Sequence, residues 1–501
     1  MATIRMFSLV LALLLAAAVP IRLAAQRDNI NRGTVVVGFT AADSALVARI
    51  LRAENRRDST DAALVLGAAH RQPRIRVLAL RARERIRDVA FVRRDSLPGA
   101  ALPAPPAWPE PAWKARYRLL GEKRDDCALL RAGLGDSVVQ VQLRVAALVR
   151  ASCGTNPEIR SALTRWVDAL PADTRTHRRG SASWHLGAHG VLALARVAPE
   201  LAASRVTRLR AHTQWHVRHY AARAAAVLRD TATLRRLAVD TDANVAEAAI
   251  EGLTAMTGHA DDAMYVRAIQ RNDAQTVRVA ALALKGSADA SARAAAMTAF
   301  TRFAARANAS ERDVRVALLE AAGRSATEDR PPAHTDSLDA HAVALALGAQ
   351  KYLEVQVHPD HGGGRFVVRL RGDVAPIMAA RILALATRGH YDGLSWHRAE
   401  YDFVLQGGSP GANEYVGEAR ALIDELGTVP HARGTVGMST RGHDTGDAQW
   451  FINLRENARL AKDYTIFAEV VEGMDVVDAM LEGDRILRIR EWMPSARARR
   501  P

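Results

Sequence analysis

From about Val35 to Ala346 apolar residues recur at spacings of three and four, the period of an amphipathic helix, and from Tyr352 onward they alternate, the period of a half-buried strand. A chain that changes period in this way cannot be built from one kind of layer; a helical region must give way to a sheet near residue 346. At 501 residues it also exceeds the size at which one hydrophobic core keeps growing, so two or more domains are expected.

Within the helical stretch certain phrases recur: RIRVLALRARERI from Arg74, VQLRVAALVRA from Val141, HVRHYAARAAAVL from His216, NVAEAAIEGLTAM from Asn244, TVRVAALALKGSA from Thr276 and DVRVALLEAAGRSA from Asp313. In each, polar residues precede a Val and small apolar residues follow at helical spacing; between Val217, Val245, Val277 and Val314 the period is about 28 to 37 residues. This resembles HEAT-type helical pairs, whose Ala-rich faces allow close packing and which must stack on neighbours to bury their apolar sides. An irregular helical bundle is the alternative.

Two breaks interrupt the pattern. Pro98, Pro103, Pro105, Pro106, Pro109 and Pro111 fall between Ser96 and Trp113, where no helix can continue, and a loop across two helical stacks is expected there. The second, from Ser325 to Asp339, carries a Pro pair and charges and precedes a last helix near Ala340 to Leu347.

Arg5, an apolar run from Met6 to Val19, and small residues at Ala24 and Ala25 have the layout of a secretory signal cleaved near Ala25. The run is about 14 residues long, short of the roughly 20 needed to span a bilayer, and no later run reaches that length. Export to the periplasm or beyond, with no integral membrane segment after cleavage, is the expectation. No cysteine lies near the cleavage point, so a lipid anchor is not expected. Cys127 and Cys153, 26 residues apart, are compatible with a disulfide in an oxidising compartment and equally with two buried thiols.

The formal charge of +15 comes almost wholly from arginine, but the arginines are interleaved with Asp and Glu along helices and are not gathered into a basic run with stacking aromatics. Nucleic acid is therefore not the expected partner. No cofactor is expected, and pairs such as His390 with His397 or His358 with His361 lack a third ligand at a spacing that argues for zinc, so no metal is expected.

After residue 346 come YLEVQVH and GRFVVRLRG, separated by His361 and glycines, which reads as a β-hairpin, then a helical VAPIMAARILALATRG. There follow Tyr391-Asp392-Gly393, His397-Arg398, Gln406-Gly407-Gly408, Gly434-Thr435-Val436, a segment around Gln449, and Val471-Glu472-Gly473-Met474. This ordered set, over about 140 residues, resembles the cyclophilin family. The resemblance implies a closed eight-stranded antiparallel β-barrel capped by two helices, a groove on its outer wall, and isomerisation of the peptide bond preceding proline in proline-containing polypeptides.

It also implies residue roles. Arg398 matches the arginine that donates to the prolyl nitrogen, and Gln406 the glutamine that orients it and contacts substrate backbone. Phe403, Val404, Phe451 and Leu460 match the socket for the proline ring. Ser439 and Thr440 match the strand whose main chain pairs with an extended substrate, their side chains mattering less. Gln449, Tyr464 and His397 align with further substrate-side positions, His397 more as a support of the barrel than as a titrating group. The chain departs from the family pattern at Val404 for methionine, Arg459 for tryptophan, Tyr464 for a common histidine, Trp396 for phenylalanine, and Tyr401-Asp402 for a Pro-Gly pair. The last of these puts the placement of Phe403 and Arg398, and so catalytic efficiency, in question.

The organisation expected is a signal at 1–25, an all-α HEAT-like domain at 26–345 with a Pro-rich insert at 96–113, an isomerase domain at 346–495 and a basic tail at 496–501. Such a chain would assist folding of exported proteins, with the helical repeats binding clients or a protein partner; a catalytically weak cyclophilin-fold binding protein is the alternative.

Overall fold

A computed structural model describes residues 38–91, 102–171, 184–330, 338–358 and 363–493. The expected signal segment, His361, the first part of the Pro-rich insert and the basic tail lie outside them.

The N-terminal region is helical: α1 Ala41–Asn55, α2 Ala62–Ala68, α3 Pro73–Arg87, α4 Trp113–Glu122, α5 Cys127–Gly133, α6 Val139–Leu148, α7 Pro157–Asp168, α8 Trp184–Val197, α9 Pro199–Leu209, α10 Trp215–Leu228, α11 Thr231–Leu237, α12 Ala243–Thr257, α13 Asp262–Ala268, α14 Ala274–Leu284, α15 Ala290–Ala304, α16 Arg312–Ala321 and α17 Ala340–Ala346. The starts are written in the sequence. Asp61, Asp126, Asn156, Asp242, Asp273 and Asp289 each accept a first-turn N–H with their side chain, and Pro73, Pro157 and Pro199 occupy first-turn positions where no donor is missed.

The six recurring phrases fall on α3, α6, α10, α12, α14 and α16. Helices α8, α10, α12, α14 and α16 stack side by side in chain order, and their shared surface is largely alanine: Ala221, Ala222, Ala225, Ala249, Ala280 and Ala281 are fully buried. Side chains this small let the helices approach closely, and the valines that head each phrase, Val217, Val245, Val277 and Val314, fill the seam. Cys127 and Cys153 are joined as a disulfide with Cα atoms 5.5 Å apart, resolving the two sequence alternatives for the pair.

The C-terminal region is one antiparallel sheet of β1 Tyr352–Val357, β2 Gly364–Leu370, β3 Arg398–Ala399, β4 Val404–Gly407, β5 Thr435–Met438, β6 Trp450–Asn453, β7 Ile466–Glu472 and β8 Ile486–Trp492, with α18 Pro376–Thr387 and the short α19 Met474–Ala479. The order across the sheet is β3-β4-β6-β5-β7-β2-β1-β8. The closed barrel implied by the resemblance is thus replaced by a curled open half-barrel, with β3 and β8 as its two edges. The cause is the length of β3: two residues cannot carry a ladder to β8. Only an isolated bridge between Ser395 and Arg485, and main-chain bonds such as Trp396 N–H to Asp484 O (2.8 Å) and Ile486 N–H to Leu394 O (2.7 Å), reach across.

The helical and sheet regions share a core. Ile50, Leu51, Ile75 and Leu78 of α1 and α3 belong to the same buried cluster as Leu345 of α17, Ile377 and Leu383 of α18, and Trp396, Trp450 and Phe467 of the sheet. A buried ion network crosses the same seam. Glu54 of α1 receives Arg85 Nη1 (2.8 Å) and Arg81 Nη2 (3.0 Å) of α3, and Arg81 also faces Glu425 (3.5 Å), all at 2 % exposure or less. Arg85 and Arg81 further donate to the carbonyls of Leu426 and Val374.

The Pro-rich segment takes a different path from the one expected. It lies on the sheet, not across helical stacks: Trp108 Nε1 donates to Val470 O (3.1 Å), and Pro103 O accepts from Arg371 (2.9 Å) and Arg369 (3.2 Å). Gly434 makes room for it, since a Cβ there would stand 2.6 Å from the Trp108 ring and its φ of +88° disfavours any side chain. A segment that cannot form a helix and exposes bare carbonyls finds its donors in the two arginines of β2 and its end.

Candidate active site

β3 and β4 form a tight antiparallel pair in which Arg398 stands opposite Gln406, and β6 continues the register, placing Phe451 opposite Gln406. The pairing turns a sequence separation of eight residues into a side-chain contact: Arg398 Nη1 donates to Gln406 Oε1 at 3.3 Å. Gln406 is buried and its amide is used on both sides. Its Nε2 donates to Ser439 Oγ (3.0 Å) and Gln449 Oε1 (3.4 Å), while Gln449 Nε2 donates to the carbonyls of Glu414 (3.2 Å) and Val416 (3.0 Å). Arg398, Gln406, Gln449 and Ser439 are therefore one connected polar row with Arg398 at its outer end. A side chain fixed by such a chain of bonds is held near one rotamer, the precondition for placing a guanidinium over a reacting bond.

Beside the row lies a small apolar cluster separate from the main core: Val404, Phe451 and Leu460, with Phe403 and Tyr464 packed against them. Phe451 and Tyr464 meet edge to face with centroids 5.7 Å apart. Gly437, opposite Phe451, cannot carry a side chain, because a Cβ would lie 2.4 Å from the Phe451 ring. Arg398 and Arg459 both lie over Phe403, at 5.8 Å and 4.3 Å from its centroid, so the arginine at the family's tryptophan position covers one side of the socket. Its apolar and aromatic walls are of the kind that suits a pyrrolidine ring.

The structure places the remaining residues unevenly. Ser439 N–H is already bonded to Gln449 O (2.9 Å), and its hydroxyl accepts from Gln406, so its side chain contributes to the polar row more than the sequence suggests. Ser439 and Thr440 lie just past the end of β5 at Met438, in irregular chain and not on the strand the resemblance implies. His397 stands apart: both its ring nitrogens are enclosed, and burial, with Arg398 adjacent and against weaker opposing effects of Glu482 and the Ser395 main chain, pushes its pKa down to about 4, so it is a neutral supporting ring.

The Tyr401-Asp402 departure has a structural cause. Tyr401 is buried edge to face against Trp113 (5.9 Å) and Tyr117 (5.8 Å) of α4, and Asp402 accepts from Arg118 of α4 (2.6 Å) and from Arg455 (3.0 Å). The turn before Phe403 is thus moulded by contact with a helix the family's pattern does not include, and a Pro-Gly pair would supply neither contact. Asn457 Nδ2 fixes the far side of the turn through Phe403 O (3.0 Å).

Sequence reasoning missed three groups. Glu400 accepts from Arg398 Nε (2.7 Å), Glu414 accepts from Arg398 Nη1 (2.9 Å), and His431 lies stacked under Phe451 with Nε2 3.1 Å from Tyr464 O. Only Glu400 had a signal, its position two residues along the strand from Arg398; the other two are brought in by loops. Burial lowers the His431 pKa to about 4, against a weaker opposing effect of its bond to Tyr464. Because the folded value lies below the free one, the neutral ring persists until pH approaches 4. Activity is expected to be level from pH 8 to about 5 and to fall only below that, as an imidazolium forms beneath Phe451. A pH profile of kcat/KM checks this; a fall centred near 6.5 would mean the ring titrates as if in water. Among the described residues no group of three or more His, Cys, Asp or Glu is placed to hold a metal ion, and no helix is long and apolar enough to cross a membrane.

Comparison with known proteins adds the following. Residues 352–491 match the family described as cyclophilin type peptidyl-prolyl cis-trans isomerase/CLD. A peptidyl-prolyl cis-trans isomerase of Helicobacter pylori is 32% identical over 127 residues, covering 25% of this chain and 78% of that protein. Peptidyl-prolyl cis-trans isomerase B of Bacillus subtilis is 32% identical over 130 residues, 26% of this chain and 91% of that protein. A crystal structure of a cyclophilin type isomerase from Cryptosporidium parvum aligns over 29% of this chain and 99% of its own, at 21% identity and a TM-score of 0.27.

Proposed function

The chain belongs, through its C-terminal residues, to the cyclophilin-type peptidyl-prolyl cis-trans isomerase family, and from that premise we propose that the half-barrel catalyses cis/trans isomerisation of X–Pro bonds in polypeptides, with Arg398 as its central catalytic group. The observation that carries the reading is the Arg398–Gln406 pair standing beside the Phe403/Val404/Phe451/Leu460/Tyr464 socket.

The reaction requires no acid, base or cofactor. Amide resonance sets a barrier of roughly 18–20 kcal/mol, and rotation localises the lone pair on the prolyl nitrogen only when the amide is twisted. A guanidinium N–H directed at that nitrogen gains its bond in the twisted state alone, which is the condition for accelerating the step. The socket holds the ring still while the carbonyl side turns. The main chain at Ser439 and Thr440, just past the end of β5, receives the extended chain.

The apolar stretch at Met6–Val19 supports export, and an exported isomerase with a long helical array, HEAT-like in its repeating phrases, fits assistance to folding proteins. One part of the array adjoins the site: Arg278, Leu282, Val316 and Ala317 border an open cavity of about 370 Å³ that also includes Glu414, Tyr415 and Arg441 of the C-terminal region. The test is refolding of a proline-limited protein, compared with a short X–Pro peptide, for the full chain and for Leu282→Asp. Client capture predicts that Leu282→Asp loses activity on the protein but not on the peptide; equal behaviour on both would remove the capture role. The second reading, a slow or inactive proline-segment binder, is favoured by one observation only, the engagement of Arg398 by two carboxylates.

A further inference from the structure

Arg398 is not free at the mouth of its groove. Its Nε and Nη2 hold Glu400 and its Nη1 holds both Gln406 and Glu414. Glu400 belongs to the same hairpin as Arg398, but Glu414 comes from the loop after Gly408, and that loop is built into the helical array. Asn244 of α12 exchanges amide bonds with it, Nδ2 to Gly411 O (3.0 Å) and Oδ1 from Asn413 (3.2 Å). The guanidinium of Arg278 on α14, anchored by Glu247 of α12, lies 3.6 Å from the Tyr415 ring centroid, and Val416 packs into the helical core. Arg441 reaches from the sheet to Glu414 O, to Asp313 of α16 and to Ser310 O just before it. Three successive inner helices therefore hold the loop that carries one carboxylate to the catalytic side chain.

We propose that Glu414 is a latch on Arg398 set by the helical array, so that the rate of isomerisation is governed by α12, α14 and α16 as well as by the half-barrel. The proposal rests on Arg398 being the catalytic arginine. A carboxylate at 2.9 Å uses an Nη1 proton and offsets the positive charge that would stabilise the nitrogen lone pair. Glu414 is half exposed, so the pair is weak enough to open and is screened by salt. Substrate must compete with it, and movement of the loop alters how often the guanidinium is available. Asn244 and Arg278 are positioning residues acting through Glu414.

Glu414→Gln retains the shape and removes the charge. On a short X–Pro peptide it is expected to raise kcat about 3- to 10-fold at low ionic strength, with wild type approaching the variant as salt is raised to about 0.5 M. Asn244→Ala is expected to shift kcat in the same direction, and the double variant to gain no more than Glu414→Gln alone, since both open one contact. A kcat for Glu414→Gln at or below wild type, or fully additive effects, would overturn the latch. Arginine-selective NMR of the full chain, with the Arg398 signal identified by its loss in Arg398→Lys, gives a readout independent of turnover. Side-chain N–H exchange at Arg398 should quicken several-fold in Glu414→Gln and in Asn244→Ala. Unchanged exchange would overturn the latch even if the enzyme is active, and quickened exchange in a protein inactive on every X–Pro substrate would retain the contact while removing the function assigned to Arg398.

Discussion

Arg398→Ala is expected to lower kcat/KM for X–Pro isomerisation by about 10²–10³-fold while leaving the folded spectrum unchanged. The size follows from what the side chain does: a positioned donor to charge that develops only in the transition state accounts for about 3–4 kcal/mol when removed. The fold survives because Arg398 is a third exposed and its partners Glu400 and Glu414 are half exposed, so no buried charge is stranded. Arg398→Lys is expected to recover little. Bonds to Gln406, Glu400 and Glu414 come from three different nitrogens of the planar fork, and an ammonium cannot reach them while also facing the prolyl nitrogen. A coupled peptide assay on the purified variants checks both; a loss smaller than about 5-fold for the alanine variant would transfer catalysis to the socket.

The largest stability effect is expected at Glu54, far from the groove. Glu54→Ala leaves Arg81 and Arg85 buried with neither of their bonds to that carboxylate, and the remaining carboxylate, Glu425, is 3.5 Å from Arg81. Removing one partner of a buried ion network costs about 3–5 kcal/mol, since the stranded charge keeps its desolvation penalty. Because α1 and α3 share a core with the sheet, the loss should appear as a lower urea midpoint for the helical and sheet regions together. A midpoint shifted for one region only would show that the two unfold independently. The same shared core means that the half-barrel cut away from the helices would lose the cover that α17 gives to α18, which carries Ile377 and Leu383.

Much of this was legible in the residues. The recurring phrases mapped one to a helix because each repeats apolar residues at helical spacing, a local property, and two of them, α12 and α14, also carry a side-chain cap at Asp242 and Asp273. The resemblance to the cyclophilin family already implied that Gln406 orients Arg398, and a short hairpin brings the two opposite one another. What the sequence did not disclose was whatever depends on distant contact. Tyr401-Asp402 looked like a damaged turn and is instead the docking point of α4. The Pro-rich segment looked like a bridge between helical stacks and is instead fastened to β2 and β7 through Pro103 and Trp108. Glu414 sits in a loop with no periodicity, and nothing in its neighbourhood reveals that Asn244, 170 positions earlier, holds it against Arg398. The barrel was expected to close; β3 is two residues long, and only an isolated bridge and a few main-chain bonds join its side of the sheet to β8.

The central claim, that this half-barrel turns over X–Pro bonds through Arg398, is tested most directly by a coupled isomerisation assay of the 501-residue chain on a short X–Pro peptide, with Arg398→Ala alongside. The account predicts acceleration by the wild type that the variant loses by about 10²-fold or more. Failure of the wild type to accelerate the peptide at any ionic strength, with binding of the same peptide retained, would contradict it and leave a proline-segment binder in its place.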